Sequence, residues 1–446
     1  MIDPTKVNGN PSSQPPQWNW NALFRGDREL GAYNACVGNN GSPDIYYYAD
    51  GFAESVDLLI EALTTGHSAF LDTLIYPIGF CLRHSVELTI KGQIQDLSLL
   101  AKLRNQPLAP DTDIEKVLNQ HDIINLWTFF SVHALASDRR YMEKISTLEP
   151  LIRCIGETDP TGQTFRYSYS TEAKKHLTDV SVINVVVLRD QFRVIRKDLE
   201  ELTWLSQWLQ REYSTGTYTT NLSREDLRAI ADQLPQRALW ADPSAGLDDI
   251  KSSIKSAYNI GSKELKTAID MIQRTRDLAR IIGLPVNIPG LFVTDLYTLN
   301  DFWKLAWDRE ALSAELRNDI SGITATRIVP ANLLQELERE LQAEKDPQVS
   351  LSQFMEWATI DRLAGLQALL DAGEYVFGEE HDSRYEAYRK ELTSVFSASD
   401  QIRRAEITEI WSHSIGQRFY PSHIIRKLKL TGFAHECAEL EENLFS

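Results

Sequence analysis

RHSVELTIKGQI at 83–94 and HDIINLW at 121–127 are the two segments on which the fold turns. In the first, Arg83, Glu87 and Lys91 recur every four residues, beside an apolar row of Val86, Ile90 and Ile94. A period near 3.6 marks an amphipathic helix. Glu87 before Lys91 is the favourable acid-to-base order on such a helix. His84 shares a face with Glu87 and Leu88. In the second segment, Asp122 precedes an apolar run, where its carboxylate can accept the orphan N–H groups of a helix start and suits the helix dipole.

Working outward, SAFLDTLIYPIGFCL extends the first segment back to residue 68, with Phe70, Leu74 and Phe80 as further candidates for burial. Pro77 lies inside it and is expected to kink or restart the helix. Upstream, a helix is expected from Tyr47, with Phe52, Val56, Leu59, Ile60 and Leu63 on one face. Downstream of Lys91, a loop carrying Pro107 and Pro110 leads to a helix near His121, and a further helix is expected from Arg139. ETDPTGQTFRYSYST (157–171) reads as a loop in which FRYSY could be extended. A long helix is then expected from Glu172 to Tyr213; its β-branched run VSVINVVVL imitates a strand, but the periodicity continues on both sides.

The polar stretch STGTYTTNLS (214–223) is the expected domain boundary. After it, Ser223 with Asp226 forms a near capping box. Several more helical patterns follow, and there is no repeat of fixed period. The expected organisation is all-α: an irregular arm at 1–44, rich in Pro, Asn, Ser and Gln, a helical bundle at 45–215, and a second helical domain at 223–446.

Composition narrows the function. The chain has 446 residues and a net charge of −17, from 46 Lys and Arg against 63 Asp and Glu. A general nucleic-acid coat needs a positive surface and is disfavoured, although a local basic site is compatible with an acidic body. Four cysteines stand far apart without a CxxC pair, which indicates neither a disulfide framework nor a cysteine-rich metal site. No membrane span and no leader pattern is visible, so the expected place is the cytoplasm. There is no GxxxxGK[ST] loop and no GxSxG elbow.

The order RHSVELTIKG, HDIINLW, DPTGQTFRYS resembles a group of bacterial proteins with RHxxELxLK, HDLxxLW and an FRYP-type loop, within the HEPN superfamily of helical nucleotide-binding domains. The matching positions are Arg83, His84, Glu87, Lys91, His121, Asp122, Phe165, Arg166 and Tyr167, and the resemblance covers about 50–215. It implies a helical bundle that dimerises, without a cofactor, in a prokaryotic defence or toxin-type protein acting on RNA or a nucleotide without a metal. On this reading His84, His121 and Arg83 are the candidate catalytic residues. Arg166, Lys91 and Tyr167 are candidates for substrate binding, and Glu87 and Asp122 for orienting. The Arg-x4–6-His signature of the superfamily's nucleases is missing from the resembling segment; Arg418 and His423 match it elsewhere, with Pro421 between them. The alternative is a non-catalytic helical scaffold that dimerises or recruits a protein partner. There the same residues form a polar network that fixes helix packing.

Weaker patterns have plainer readings. His84 or His67 with His121, Asp122 and Asp190 could be offered as a metal phosphohydrolase set, but no second spacing rule supports it. GEEHD (378–382) reads as a solvated acidic loop, Trp303, Trp307, Trp357 and Trp411 as core, and IIRKLKLTGF (424–433) as a solvated basic helix.

Overall fold

The computed structural model describes residues 23–27, 29–38, 40, 43–66, 68–108, 111–169, 177–178, 180–312, 316, 343–371, 377–430 and 440–442. The protein is all-α. Isolated bridges pair Ile288 with Leu291 and Trp307 with Glu344, and Tyr169 also stands in a bridge. The chain divides into two compact units, 1–211 and 212–446.

The first unit contains α1 (Ile45–Thr64), α2 (Leu71–Leu103), α3 (Asp111–Leu118), α4 (Ile123–Ser137), α5 (Tyr141–Thr158) and most of α6 (Val185–Ser214). Asp44 starts α1 by accepting the Tyr47 N–H at 2.9 Å. The expected faces of α1 and α2 are largely the buried ones: Val56, Ile60, Leu63, Val86, Ile90 and Ile94 are all inside. Leu126 and Phe130 of α4, Leu148 of α5 and Leu202 of α6 are buried as well. Phe70 departs from expectation; it sits in the short turn before α2 and is exposed. The helix does not restart at Pro77, which lies within the second turn of α2.

Two expectations about the connections need correction. The proline-bearing loop after α2 contains an extra helix, α3, whose eight residues are too few to show a clear period. The long last helix begins at Val185, not Glu172. Asn184 Oδ1 accepts the N–H groups of Val186 and Val187 at 3.0 and 3.1 Å, and this side-chain cap starts the helix halfway through the valine run. Of the earlier stretch, 170–176 and 179 lie outside the described residues; 177, 178 and 180–184 are not helical.

A continuous polar seam threads the first bundle. Tyr46 donates to Asp96 at 2.6 Å, Gln93 donates to Tyr46 and Thr203, Ser206 donates to Gln93 at 2.6 Å, and Tyr141 meets Ser206 at 3.1 Å. Each buried group has a partner, as low-dielectric packing demands.

The second unit has two apolar cores. The first gathers α7 (Arg224–Gln233), α8 (Leu247–Tyr258), α9 (Ser262–Arg274) and α10 (Arg276–Ile281) around Leu227, Ile254, Leu265 and Ile272. The capping box is complete: Ser223 accepts the Asp226 N–H, and Asp226 accepts the Ser223 N–H at 2.9 Å. The second core gathers α11 (Val293–Ala306), α12 (Pro347–Trp357), α13 (Ile360–Asp371), α14 (Gly378–Phe396), α15 (Asp400–His413) and α16 (Tyr420–Leu430). Trp303 and Trp357 are buried there, with Trp307 and Trp411 packed against them. Ile424, Ile425 and Leu428 also belong to that core, so the start of the basic segment is half-buried rather than solvated; 431–433 lie outside the described residues.

GEEHD is not a solvated loop. It forms the first turn of α14, with His381 buried and Glu379 paired to the buried Arg224 at 2.6 Å. Arg224 also grips Asp277 through two bonds of 2.9 and 2.7 Å and lies 4.7 Å over the Phe377 ring.

Candidate functional site

The centre of the first unit's site is Glu87. The four-residue period of α2 stacks Arg83, Glu87 and Lys91, and all three are buried. Arg83 Nη1 donates to Glu87 Oε2, and Lys91 Nζ reaches Oε1 at 2.8 Å. His121, arriving just before α4, places Nδ1 2.9 Å from the same Oε1. His84 Nδ1 stands 3.8 Å from Oε2, an ion-pair distance rather than a hydrogen bond. Burial pushes the Glu87 carboxyl up, but the neighbouring His84, Lys91, Arg83 and His121 together hold it far below the usual carboxylate range. An ionised Glu87 can only accept, so His121 donates from Nδ1. Its Nε2 lies on the far side of a ring whose side chain is 67% exposed.

Arg83 does a different job. Its Nε donates to the Asp159 carbonyl at 3.0 Å, and its Nη2 to the carbonyls of His121 and of Pro160, the latter at 2.9 Å. Pro160 O also accepts the Ile123 N–H at 3.1 Å. One guanidinium thus ties α2 to the chain before α4 and to the loop after α5. With four of its five N–H groups bonded inside, Arg83 is a positioning residue rather than the catalytic residue expected from the sequence. Asp122 caps α4 through Oδ1, accepting from Ile124 and Asn125 at 3.0 Å each. The capping role read from the sequence is the one it performs.

The DPTGQTFRYS loop lies along α2. Phe165 covers Gly79 so closely that a Cβ there would stand 2.6 Å from its ring. Asp159 Oδ1 holds the Thr164 N–H at 3.0 Å, while Oδ2 sits 3.9 Å from Arg83 Nε. This docking carries Arg166 and Tyr167 to a second face of α2. The Arg166 guanidinium lies 5.6 Å over the Phe80 ring and 5.2 Å over Tyr167. Phe80 stacks on His84 at 5.3 Å, and His84 meets Phe52 edge-on at 4.6 Å. Tyr76, one turn before Phe80, is half-exposed and lines a cleft of about 680 Å³ together with Phe165, Arg166 and Tyr167.

The sequence-predicted residues therefore form two adjoining stripes on α2. Arg83, Glu87, Lys91 and His121 make a charged stripe. His84, Arg166 and Tyr167 join Phe80 in an aromatic, cationic stripe. Tyr76 and Glu87, eleven residues apart, are separated by about 16 Å along the helix. Gly79, Asp159 and Gly162 were not singled out from the sequence, and Phe80 was read there as a candidate for burial alone. The one available hint was the DPTG turn, whose glycine takes a φ of +78°.

Arg418 and His423 belong to the second unit and are not presented together on a helix. Arg418 precedes α16 and lies 4.5 Å over Phe419, whereas His423 is within the helix, after Pro421. Among the described residues no group of three or more His, Cys, Asp or Glu could hold a metal ion. Cys36, Cys81 and Cys154 are free thiols. No described helix is long and apolar enough to cross a membrane.

No protein-family model, curated protein or solved structure matches this chain.

Proposed function

We propose that the N-terminal unit is HEPN-like and acts on RNA or a nucleotide without a metal, as part of a prokaryotic defence or toxin-type protein. One observation carries the reading: His121 is held by Nδ1 on the buried Glu87 carboxylate and keeps Nε2 for a ligand. A carboxylate that orients an imidazole is a recurrent arrangement for general base chemistry. Here Nε2 takes the proton of a ribose 2′-hydroxyl, the 2′-oxygen attacks the neighbouring phosphorus, and the departing 5′-oxygen receives the proton. Products are a 2′,3′-cyclic phosphate end and a 5′-hydroxyl end.

The neighbouring stripe supports binding. Tyr76, Tyr167 and the partly exposed His84 offer stacking surfaces, and Arg166 offers a cation beside them. Aromatic side chains with nearby cations bind single strands without much sequence preference. The net charge of −17 opposes a long polyanion, so the substrate is a strand end, a short single strand or a nucleotide.

The test is incubation of the purified chain with a single-stranded RNA oligonucleotide in the presence of a chelator. Cleavage to cyclic-phosphate ends is expected, with His121→Ala slower by about 10²–10⁴-fold and still folded. Equal rates in both proteins, or no cleavage by either, would overturn the catalytic part. The scaffold reading is favoured by a separate observation, the internal bonding of four of the five Arg83 N–H groups. It is the reading that survives if His121→Ala changes neither cleavage nor toxicity. A homodimer through the bundle belongs to both readings, and light scattering that gives a monomer at micromolar concentration removes it.

A further inference from the structure

A cleft of about 320 Å³ in the second unit has the opposite electrical character to the rest of the chain. Lys251 and Lys255, one turn apart on α8, converge there with Lys266 of α9. Like charges four apart on a helix repel, and a third ammonium from a neighbouring helix adds to the repulsion. In a chain with 63 acidic against 46 basic residues, such convergence is unexpected unless an anion occupies the centre. Among the described residues no carboxylate lines the cleft to supply that anion. Lys251 has one acidic neighbour, Asp248 at 4.0 Å, whose side chain is fully exposed. Lys255 and Lys266 have no ion-pair partner among the described residues.

Apart from Ser262, the rest of the lining is apolar. Leu265 and Ile269 form the floor as part of the unit's first core. Trp240 makes a wall, and its indole is fixed from two directions. Nε1 donates to the Pro235 carbonyl at 2.8 Å, and the Arg237 guanidinium lies 4.6 Å over the ring. Arg237 is itself held by Gln273 at 3.1 Å. A preset wall of this kind binds a planar group at little ordering cost. The start of α9 also opens on the cleft through Ser262, and the N-cap Gly261 has no side chain with which to satisfy that helix end.

We propose that this cleft binds a phosphorylated ligand with a planar ring, the ring against Trp240 and the phosphates among Lys251, Lys255 and Lys266. The chemistry is that of a nucleoside polyphosphate. The site belongs to the second unit and shares no residue with the Glu87–His121 stripe, so it is an additional site.

Calorimetric titration of the full chain with ATP, with inorganic tripolyphosphate and with adenosine separates the contributions. ATP is expected to bind most tightly, tripolyphosphate at least tenfold more weakly, and adenosine not measurably. The double variant Lys255→Ala/Lys266→Ala is expected to lose at least tenfold in ATP affinity, while Lys116→Ala, an exposed lysine of α3 outside both sites, leaves this binding unchanged. Circular dichroism of the double variant checks that it is folded, and both substitutions are outside the core. Three results overturn the proposal: no ATP binding, ATP and tripolyphosphate binding equally, or ATP binding as tight in the double lysine variant as in wild type.

Discussion

Arg83 and Gly162 are packed face to face: a Cβ on Gly162 would stand 3.4 Å from the guanidinium carbon, and Gly162 takes a left-handed φ of +78°. The glycine lets the loop after α5 turn back so that the Asp159 and Pro160 carbonyls point at Arg83. Gly162→Ala therefore meets a conformational penalty, about 1–2 kcal/mol, while its Cβ makes an ordinary van der Waals contact with Arg83. A loss of that size in urea unfolding is expected, and an unchanged midpoint would show that the loop is held by other means.

Removing Arg83 exposes the cost of its buried position. Arg83→Ala leaves Glu87 with one less cation, removes the donor to the Asp159 and His121 carbonyls, and leaves Pro160 O with the Ile123 N–H. Breaking a buried pair in this way costs about 3–5 kcal/mol. Denaturant unfolding is expected to show it, and Arg83→Lys is expected to recover only part, because an ammonium cannot reproduce the fork.

His121→Ala is expected to be mild in comparison. Its side chain is largely exposed and contributes one hydrogen bond to Glu87, worth about 1 kcal/mol or less. Thermal unfolding within a few degrees of wild type checks this, and it is the condition under which loss of RNA cleavage can be read as chemistry.

Acid unfolding carries the mark of Glu87. Its carboxyl is held below its ordinary value of 4.5 in the folded chain, so the folded state binds its proton less readily than the unfolded one. That contribution is fully present above about 4.5 and is lost as pH falls toward the depressed folded value. Asp96 runs the other way: burial raises its carboxyl, so its contribution declines as pH rises above its ordinary value of 3.8. Stability measured from pH 6 to pH 2 is expected to fall less steeply in Glu87→Gln than in wild type. Parallel curves would contradict the charge assignment.

In the second unit, Arg224→Met removes a buried guanidinium from Asp277, Glu379 and Phe377. It leaves two acids facing each other without their shared cation. A loss of about 3–5 kcal/mol is expected. Ser223→Ala, which removes only the cap at the start of the same helix, is expected to cost about 1 kcal/mol.

The parts of this architecture that repeat were visible beforehand. Arg83, Glu87 and Lys91 fall at a helical period, and Asp122 stands where a helix start needs an acceptor, so one line of sequence carries both the helix and its polar face. What was not visible depends on main-chain atoms and on distant partners. The Asp159 and Pro160 carbonyls have no residue code, and Gly79 is a contact point only because Phe165 returns from 86 residues later. The start of α6 was misplaced because Asn184 outweighs the periodicity that continues before it. GEEHD looked solvated because Arg224 and Asp277, which bury it, lie more than a hundred residues upstream.

Because Arg83 grips main-chain oxygens, the chain from Asp159 to Arg166 is fastened by its backbone. Thr161 and Gln163 take no side-chain part in that fastening among the described contacts. Their identities can drift, altering what the surface beside Arg166 presents, while the anchor beneath stays as it was. New surfaces could be sampled in such a loop without first solving the folding problem again.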